Sequence, residues 1–383
     1  MSTYLPEEVL VKILSRLPTK SLIRFRCVSK TWHEIIGNPD FLYHSILTTT
    51  EENPNHPLLL IKATENSIPR REVLSFLSYE NLEFVSQTPL TPGLKLIASC
   101  NDLLCLGSYF TSDVYVWNPT SPSVELEPLP PLTHRLPYHV SDVFGSGLGF
   151  GYDSRSNDFK VVRIRIIKLP TFVHQTKRIR SFVEVYSLSG GSWRVLDIDV
   201  FSGVENGWRV LLDLDAFFAF ENSLRTVALD GVFIWWVPEN IIAAFDFNNE
   251  VLRTTPLPDG CSLSNYRDEN NTITLLNGHI SLLAFSRSKM NAKCDLEIWV
   301  LLEFGVKESW TRLSKIGLSM DLERPLEFWK RGELFMVNSE GQLVLYDPFT
   351  HTKKNLQVYG IERTFQIVLH TPSSVAVEGG VNL

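Results

Sequence analysis

The stretch Leu343-Val-Leu-Tyr346-Asp-Pro348 carries a pattern that returns along most of the chain. It is a short apolar segment with a central aromatic residue and a polar turn behind it, which is typical of a buried β-strand. The pattern also occurs in Val114-Tyr-Val-Trp117-Asn-Pro, Val183-Glu-Val-Tyr186-Ser-Leu, Ile242-Ala-Ala-Phe245-Asp-Phe and Leu296-Glu-Ile-Trp299-Val-Leu. The successive aromatic residues are 69, 59, 54 and 47 positions apart. A repeat of this length predicts one structural unit used several times.

Each repeat contains further strands. Before the aromatic strand come pairs of strands joined by polar turns at Asn101-Asp102, Asp230-Gly231, Asn277-Gly278 and Arg331-Gly332. Behind it come segments that contain Leu129-Pro130, Trp193, Leu257-Pro258 or Trp310. Four strands in about 40–50 residues predict a β-propeller blade. An open β-sandwich is the alternative, although a sandwich does not need the recurring aromatic residue.

Five such repeats, and a degenerate one over Leu58–Val85, predict about six blades. The lone strand Thr364–Leu369 should pair with the first repeat and close the ring, which removes exposed strand edges. Residues 58–372 are therefore expected to form the propeller, and residues 373–383 a C-terminal tail.

The first 47 residues follow a different, helical period. Leu5, Val9, Leu10, Ile13, Leu14 and Leu17 recur at helical spacing. Pro6 suits a helix start, Pro18 stops the helix, and a second helix begins near Thr19 or Ser21. Ser29 is a plausible cap of a third helix that ends at Gly37, and Asn38-Pro39 opens a fourth. So small a unit cannot bury a good core alone and should pack on the rest of the chain or on a partner. The polar residues 48–57 are expected to be a linker.

Composition limits the compartment and the class of protein. The chain has 383 residues and a net charge of −7, and 44% of its residues are hydrophobic, which excludes a wholly disordered chain. Its purely apolar runs are far shorter than the ~20 residues that span a bilayer. The N-terminus lacks the basic start and apolar run of a signal peptide. Five unpatterned cysteines argue against a disulfide framework, so the cytoplasm or the nucleus is expected.

The helical segment resembles a known family. Leu5-Pro6-Glu7-Glu8-Val9-Leu10, Ile13-Leu14, Leu17-Pro18, Lys20-Ser21-Leu22 and Arg24-Phe25-Arg26-Cys27-Val28-Ser29-Lys30, followed by Trp32, resemble the F-box in its plant form. The segments Val116–Thr120, Gly147–Asp153 and Asn157–Val162 are similar to the F-box-associated or kelch-like domains that follow plant F-boxes. The kelch pattern is partial, since a Gly190-Gly191 pair before a Trp occurs in one repeat only. The expected fold is thus a helical F-box followed by an all-β, kelch-like propeller.

This resemblance implies a substrate receptor of an SCF-type ubiquitin ligase, with no catalytic residue or cofactor of its own. The F-box would bind a Skp-family adaptor, and through it the cullin–RING ligase, while the propeller would bind the protein substrate. Carried over by position, the adaptor-facing residues are Leu5, Pro6, Ile13, Leu14, Leu17, Pro18, Leu22, Cys27, Val28 and Trp32. Some of these could instead pack the F-box's own helices, and for Val9, Leu10 and Phe25 an internal position is expected.

Basic side chains suggest two further surfaces. Residues 16–30 contain five basic side chains and no acidic one, which fits nucleic acid, an acidic protein partner or a solvated helix face. The family resemblance favours the protein partner. Residues 155–180 contain eight Lys or Arg and one acidic residue, so they form either a patch for an acidic substrate or a solvated sheet face. Substrate binding is expected in long loops on one propeller face, and the candidate residues are Lys177, Arg178, Arg180, His134 and Tyr138.

The motifs of catalysis and of metal binding are missing from the sequence. It contains no nucleophile elbow, Walker loop, His-Glu-x-x-His or Cys-x-x-Cys. The alternating glycines 145, 147, 149 and 151 lack dinucleotide spacing and suit a crowded strand or a bulge. Three alternatives remain open: a propeller enzyme with an accessory F-box, a ubiquitin-independent scaffold bound to Skp, and an S-locus F-box member that recognises ribonucleases in self-incompatibility.

Overall fold

The computed structural model describes residues 6–15, 17, 19–38, 41, 57–108, 111, 113–119, 126–131, 143–168, 179–196, 226–229, 231–237, 241–261, 271–288 and 293–371. By internal contacts the chain divides into two compact units. Unit 1 comprises Met1–Glu52 and Thr255–Val358, and unit 2 comprises Asn53–Thr254 and Tyr359–Leu383.

Three short helices come first: α1 (Glu7–Leu14), α2 (Thr19–Phe25) and α3 (Lys30–Gly37). Pro6 lies directly before α1, where its carbonyl accepts the N–H groups of Val9 and Leu10 at 3.0 and 3.1 Å. Ser29 caps α3 as predicted, because its hydroxyl accepts the N–H of Trp32 at 3.1 Å. The predicted fourth helix lies outside the described residues apart from Phe41, which is buried.

The described strands form six antiparallel sheets, which are numbered here as blades 1 to 6 in chain order. The strands of blade 1, in their order across the sheet, are β23 (Gln366–His370), β1 (Leu58–Thr64), β2 (Glu72–Ser78) and β3 (Phe84–Leu90). Blade 2 consists of β4 (Leu94–Cys100), β5 (Leu103–Ser108) and β6 (Val114–Trp117). Blade 3 consists of β7 (Val143–Asp153), β8 (Asp158–Lys168), β9 (Ile179–Ser187) and β10 (Ser192–Leu196).

Blade 4 contains β11 (Thr226–Leu229), β12 (Val232–Val237), β13 (Ile241–Asp246) and β14 (Val251–Pro256). Blade 5 contains β15 (Thr272–Leu276), β16 (His279–Ser288), β17 (Lys293–Leu301) and β18 (Trp310–Leu318). Blade 6 contains β19 (Leu322–Phe328), β20 (Leu334–Asn338), β21 (Gln342–Tyr346) and β22 (Lys353–Tyr359). The recurring aromatic residues lie in the third strand of blades 2 to 6, as the sequence repeat predicted.

The last strand of the chain completes the first blade. β23 pairs antiparallel with β1, from Leu58 opposite His370 to Lys62 opposite Gln366, which confirms the predicted pairing. The side-chain amide of Gln366 also bonds the backbone of Leu96 in blade 2, accepting its N–H at 2.9 Å and donating to its carbonyl at 3.0 Å. Ser99 and His370 form a second side-chain bond between the same two strands, at 2.8 Å.

The glycines of β7 make room for aromatic side chains of blade 4. A Cβ on Gly149 would lie 2.7 Å from ring atoms of both Phe233 and Trp235, and one on Gly151 would overlap the ring of Phe247. The indole N–H of Trp235 donates to the carbonyl of Leu148 at 2.8 Å. The crowding predicted for the alternating glycines is therefore confirmed at Gly149 and Gly151, and it comes from the neighbouring blade.

Each unit has its own hydrophobic core. In unit 1, buried side chains of the helices and of blades 5 and 6 form one cluster, which includes Leu10, Leu14, Leu22, Ile35 and Ile36 from the helices. Phe25 and Trp32 pack against this cluster and against each other, with ring centroids 5.4 Å apart. The helices therefore bury part of their apolar surface on their own chain, which was one of the two outcomes that the sequence left open.

Candidate functional site

Among the described residues of the helical segment, three large apolar side chains are exposed. Val9 and Ile13 lie one turn apart on α1 and are 41% and 46% exposed, and Val28, just behind α2, is 59% exposed. Pro6 and Cys27 are exposed beside them in the sequence. We call Pro6, Val9, Ile13, Cys27 and Val28 the helical apolar face. Exposed apolar side chains on so small a unit are typical of a binding surface.

The other adaptor candidates have different surroundings. Leu14 and Leu22 are 0% and 1% exposed, so in this conformation they stabilise the chain's own core and do not face a partner. Leu17 and Trp32 are half-buried against the same core. Leu5 and Pro18 lie outside the described residues. The internal position predicted for Val9 is wrong, because helical spacing alone does not show which of two adjacent apolar stripes meets the core.

Basic side chains lie next to this face in the sequence. Lys12, Arg24 and Lys30 are exposed, and Arg26 is half-buried. Cations near exposed apolar side chains favour a partner with acidic groups around an apolar centre, since electrostatic complementarity speeds association and excludes wrong partners.

Blade 3 shows that three basic residues of the sequence 155–180, Lys160, Arg163 and Arg165, are structural. The Nε atoms of Arg163 and Arg165 lie 2.7 and 3.1 Å from the carboxylate of Glu184, which is fully buried. Both arginines are themselves buried. The solvated sheet face and the substrate patch considered for this strand are therefore both wrong at these two residues.

Lys160 is also engaged within the protein. Its ammonium lies 2.5 Å from Asp153 and 2.8 Å from Glu250 of blade 4. Burial opposes the charge, but these hydrogen bonds outweigh it and raise the pKa of Lys160. Glu250 also accepts a hydrogen bond from Arg194 of β10. This network joins two consecutive blades and leaves Lys160 unavailable to a ligand.

The predicted substrate-binding residues lie mostly outside the part of the chain that the structure describes. His134, Tyr138, Lys177 and Arg178 are not among the described residues, and of Arg180 only the backbone, in β9, is described. The topology nevertheless relates their segments. Val143 pairs with Ile167, and Lys168 pairs with Ile179, so residues 132–142 and 169–178 both join blade 3 at the same end of the sheet.

The described residues contain neither a cluster of metal ligands nor a membrane-spanning helix. No three His, Cys, Asp or Glu side chains there lie close enough together to hold a metal ion. Within the same residues, every helix is too short or too polar to span a membrane.

A scan against family models assigns both parts of the chain. The model "F-box domain" matches residues 3–44, and the model "F-box associated beta propeller domain" matches residues 65–374. The chain belongs to the F-box-associated β-propeller family. Its fold is thus an N-terminal F-box followed by a six-bladed β-propeller, as the sequence predicted.

Several Arabidopsis thaliana proteins are similar to this F-box protein over nearly its whole length. F-box protein At3g07870 is 26% identical, with 96% of this chain and 90% of the relative covered. F-box/kelch-repeat protein At3g23880 is 25% identical over 90% and 87% of the two chains. F-box protein CPR1 is 24% identical over 97% and 88%. The solved structure of Saccharomyces cerevisiae Sqt1 aligns with a TM-score of 0.34 at 11% identity, over 76% of this chain and 70% of Sqt1, which is too low to support an argument.

An F-box domain generally binds the Skp1 adaptor within SCF complexes. The F-box, the propeller and these relatives together support a substrate-adaptor role of the SCF type.

Proposed function

We propose that this protein is the substrate-recognition subunit of an SCF E3 ubiquitin ligase and has no catalytic residue of its own. The helical apolar face binds a Skp-family adaptor, and the propeller binds a protein substrate. The protein contributes proximity, since it holds the substrate near a ubiquitin that other subunits transfer. The proposal rests on the exposure of Val9, Ile13 and Val28 on helices whose other large apolar side chains are buried or half-buried in the described part of unit 1.

An adaptor-capture experiment tests this role. The full chain carrying Val9→Asp and Ile13→Asp should capture a purified plant Skp adaptor at least about tenfold more weakly, because a buried anion replaces apolar contacts at the centre of the interface. Val251→Asp is the matched control, since Val251 in β14 is also 41% exposed and lies outside the F-box. The control should bind like the wild type.

Two results would contradict the proposal. Failure of the wild-type chain to bind the adaptor at about 10 μM would end the ligase assignment. Unchanged binding by the double variant would exclude the helical apolar face. Cullin in the captured complex separates a ligase subunit from a scaffold that uses the adaptor alone.

We also propose that the protein acts in the cytoplasm or the nucleus. All five cysteines are free thiols, which fits a reducing compartment. Fluorescence of a tagged full-length chain in plant cells would test this, and accumulation in the secretory pathway would contradict it.

A further inference from the structure

One hairpin turn in blade 6 contains a residue, Arg331, whose type is unusual for the backbone conformation that it adopts. In blades 2 to 5 the turn between the first two strands contains a left-handed residue. These residues are Asn101, Asn157, Gly231 and Asn277, with φ of 50°, 52°, 75° and 46°. Blade 6 uses Arg331, with φ of 57°. Asn and Gly adopt this conformation readily, whereas for most other side chains it costs about 1 kcal/mol. Arg331 therefore departs from the residue types that blades 2 to 5 use at this turn, and its side chain is exposed.

A second turn of blade 6 lies beside the first. Leu334 pairs with Tyr346, so the turn before β20 and the turn after β21 leave the sheet at the same end. The Asp347 carboxylate accepts the N–H groups of Phe349 and Thr350 at 2.8 and 3.3 Å, which fixes this turn. Phe349, which lies in this turn, is 46% exposed. The sheet thus holds an aromatic ring and a guanidinium at one end.

Three further side chains, one aromatic and two basic, lie around these two turns. Trp329 is half-buried, with its ring 6.3 Å from that of Phe335 and 5.7 Å from the ammonium of Lys330. Lys354 is exposed at the start of β22. We call Trp329, Lys330, Arg331, Phe349 and Lys354 the blade-6 turn surface.

The charge balance of this surface is positive. Two of its three cations lie near Glu333, since Arg331 and Lys354 oppose the rise in the pKa of Glu333 that burial and the nearby Asp347 cause. The Asp347 carboxylate is occupied by its own turn. The whole chain has a net charge of −7, so a basic aromatic surface is a local departure from its average.

We propose that the blade-6 turn surface binds an acidic peptide segment of the protein substrate, with an apolar side chain packed on Phe349 and carboxylates paired with Arg331 and Lys354. This inference rests on the proposed substrate-receptor function and specifies the chemistry of the substrate. A nucleic acid is the weaker candidate, because specific nucleic-acid sites engage about 6–10 phosphates and this surface offers three cations beside the carboxylate of Glu333.

Peptide binding to the full chain tests the proposal by fluorescence anisotropy. The probes are a labelled peptide Gly-Glu-Glu-Phe-Glu-Glu-Leu-Gly, the same peptide with Gln for every Glu, and a short oligouridylate. The Glu peptide should bind, and Arg331→Asn should weaken it about threefold to fivefold, as loss of one exposed ion pair predicts. Arg331→Asn keeps a residue suited to the left-handed turn, so the variant should fold.

Three controls make the result decisive. Arg331→Lys should restore binding because it keeps the charge. Arg70→Asn removes an exposed cation from a loop of blade 1 and should leave binding unchanged. Adaptor capture by the same preparations reports on the F-box role separately.

The proposal is overturned if the Glu peptide does not bind, if the Gln peptide binds equally well, or if Arg331→Asn has no effect. Tighter binding of oligouridylate that depends on Arg331 would show that this surface binds a nucleic acid and not an acidic peptide. Loss of adaptor capture alone would contradict the ligase role and leave the peptide result standing.

Discussion

The indole N–H of Trp193 donates a hydrogen bond to the carbonyl of Pro130, 2.7 Å away. Trp193 lies in the outer strand β10 of blade 3, and Pro130 follows the last strand of blade 2. Trp310 of β18 makes the same kind of bond to Pro256 of β14, at 2.9 Å. The last segment of each sequence repeat occurs in two forms, one with Trp and one with Leu-Pro. In both of these contacts the Trp form donates the hydrogen bond and a proline carbonyl in the Leu-Pro form of the preceding blade accepts it.

Trp193→Phe should lower the free energy of unfolding by about 1 kcal/mol, because the hydrogen bond to the carbonyl of Pro130 is lost. The Arg163 guanidinium, 4.2 Å from the centre of the Trp193 ring, would also stack on a weaker partner. Urea denaturation gives the difference. Trp117→Phe controls for the smaller ring, and an equal loss in both variants would contradict a role for the hydrogen bond.

Asp153 should make stability depend on pH in the acid range. Burial opposes its ionisation, but hydrogen bonds from Lys160, Ser156 and the backbone outweigh this and lower its pKa from its ordinary value of 3.8 to about 2. A depressed pKa stabilises the fold above pH 3.8, and this contribution of about 2 kcal/mol disappears as the pH falls towards 2. Asp153→Asn should flatten the dependence of the urea midpoint on pH in this window. The same slope in wild type and variant would contradict the assignment.

Glu327 should make stability depend on pH in the opposite direction, so that stability falls as the pH rises. Burial raises its pKa to about 8, although the backbone N–H groups of Phe328 and Leu275 favour its anion. It also accepts a hydrogen bond from Thr274 of blade 5. Because the folded pKa is raised, the contribution to stability is full below pH 4.5 and is lost as the pH rises to about 8.

Glu327→Gln should therefore stabilise the protein at pH 9 relative to the wild type, by up to about 4 kcal/mol, and change little at pH 4. Thermal unfolding at the two pH values measures this. Glu323→Gln in the same strand is the control for a carboxylate that forms an ion pair with Arg287. A pH-independent effect of Glu327→Gln would show that the carboxyl is ionised in the folded protein.

Gln366→Leu should weaken the attachment of β23 to blade 2. The substitution keeps the buried volume and leaves the N–H and the carbonyl of Leu96 without their partners, at a cost of about 2–4 kcal/mol. Hydrogen exchange of the Leu96 amide should accelerate relative to amides in blade 5. Unchanged exchange would mean that strand pairing alone holds β23.

The repeat was readable from the sequence because each blade needs the same local features. The third-strand aromatics and the left-handed turn at Asn277-Gly278 are set by residues close together in the chain. The pairing of β23 with β1 followed from the need to cover strand edges. The burial of Arg163 and Arg165 could not be predicted from the sequence. Alternation of basic and apolar residues shows which side chains share a face of the sheet, but it does not show what covers that face. Glu184, directly opposite Arg163 in β9, is the residue that pairs with them.

The pairing of β23 with β1 has a consequence for biosynthesis. The first blade receives its fourth strand from residues 366–370, about 300 residues further along the chain than β1. During translation β1 therefore presents an open edge until β23 has left the ribosome. A product that stops before residue 366 keeps that edge exposed, and unpaired strand edges are templates for pairing with other chains.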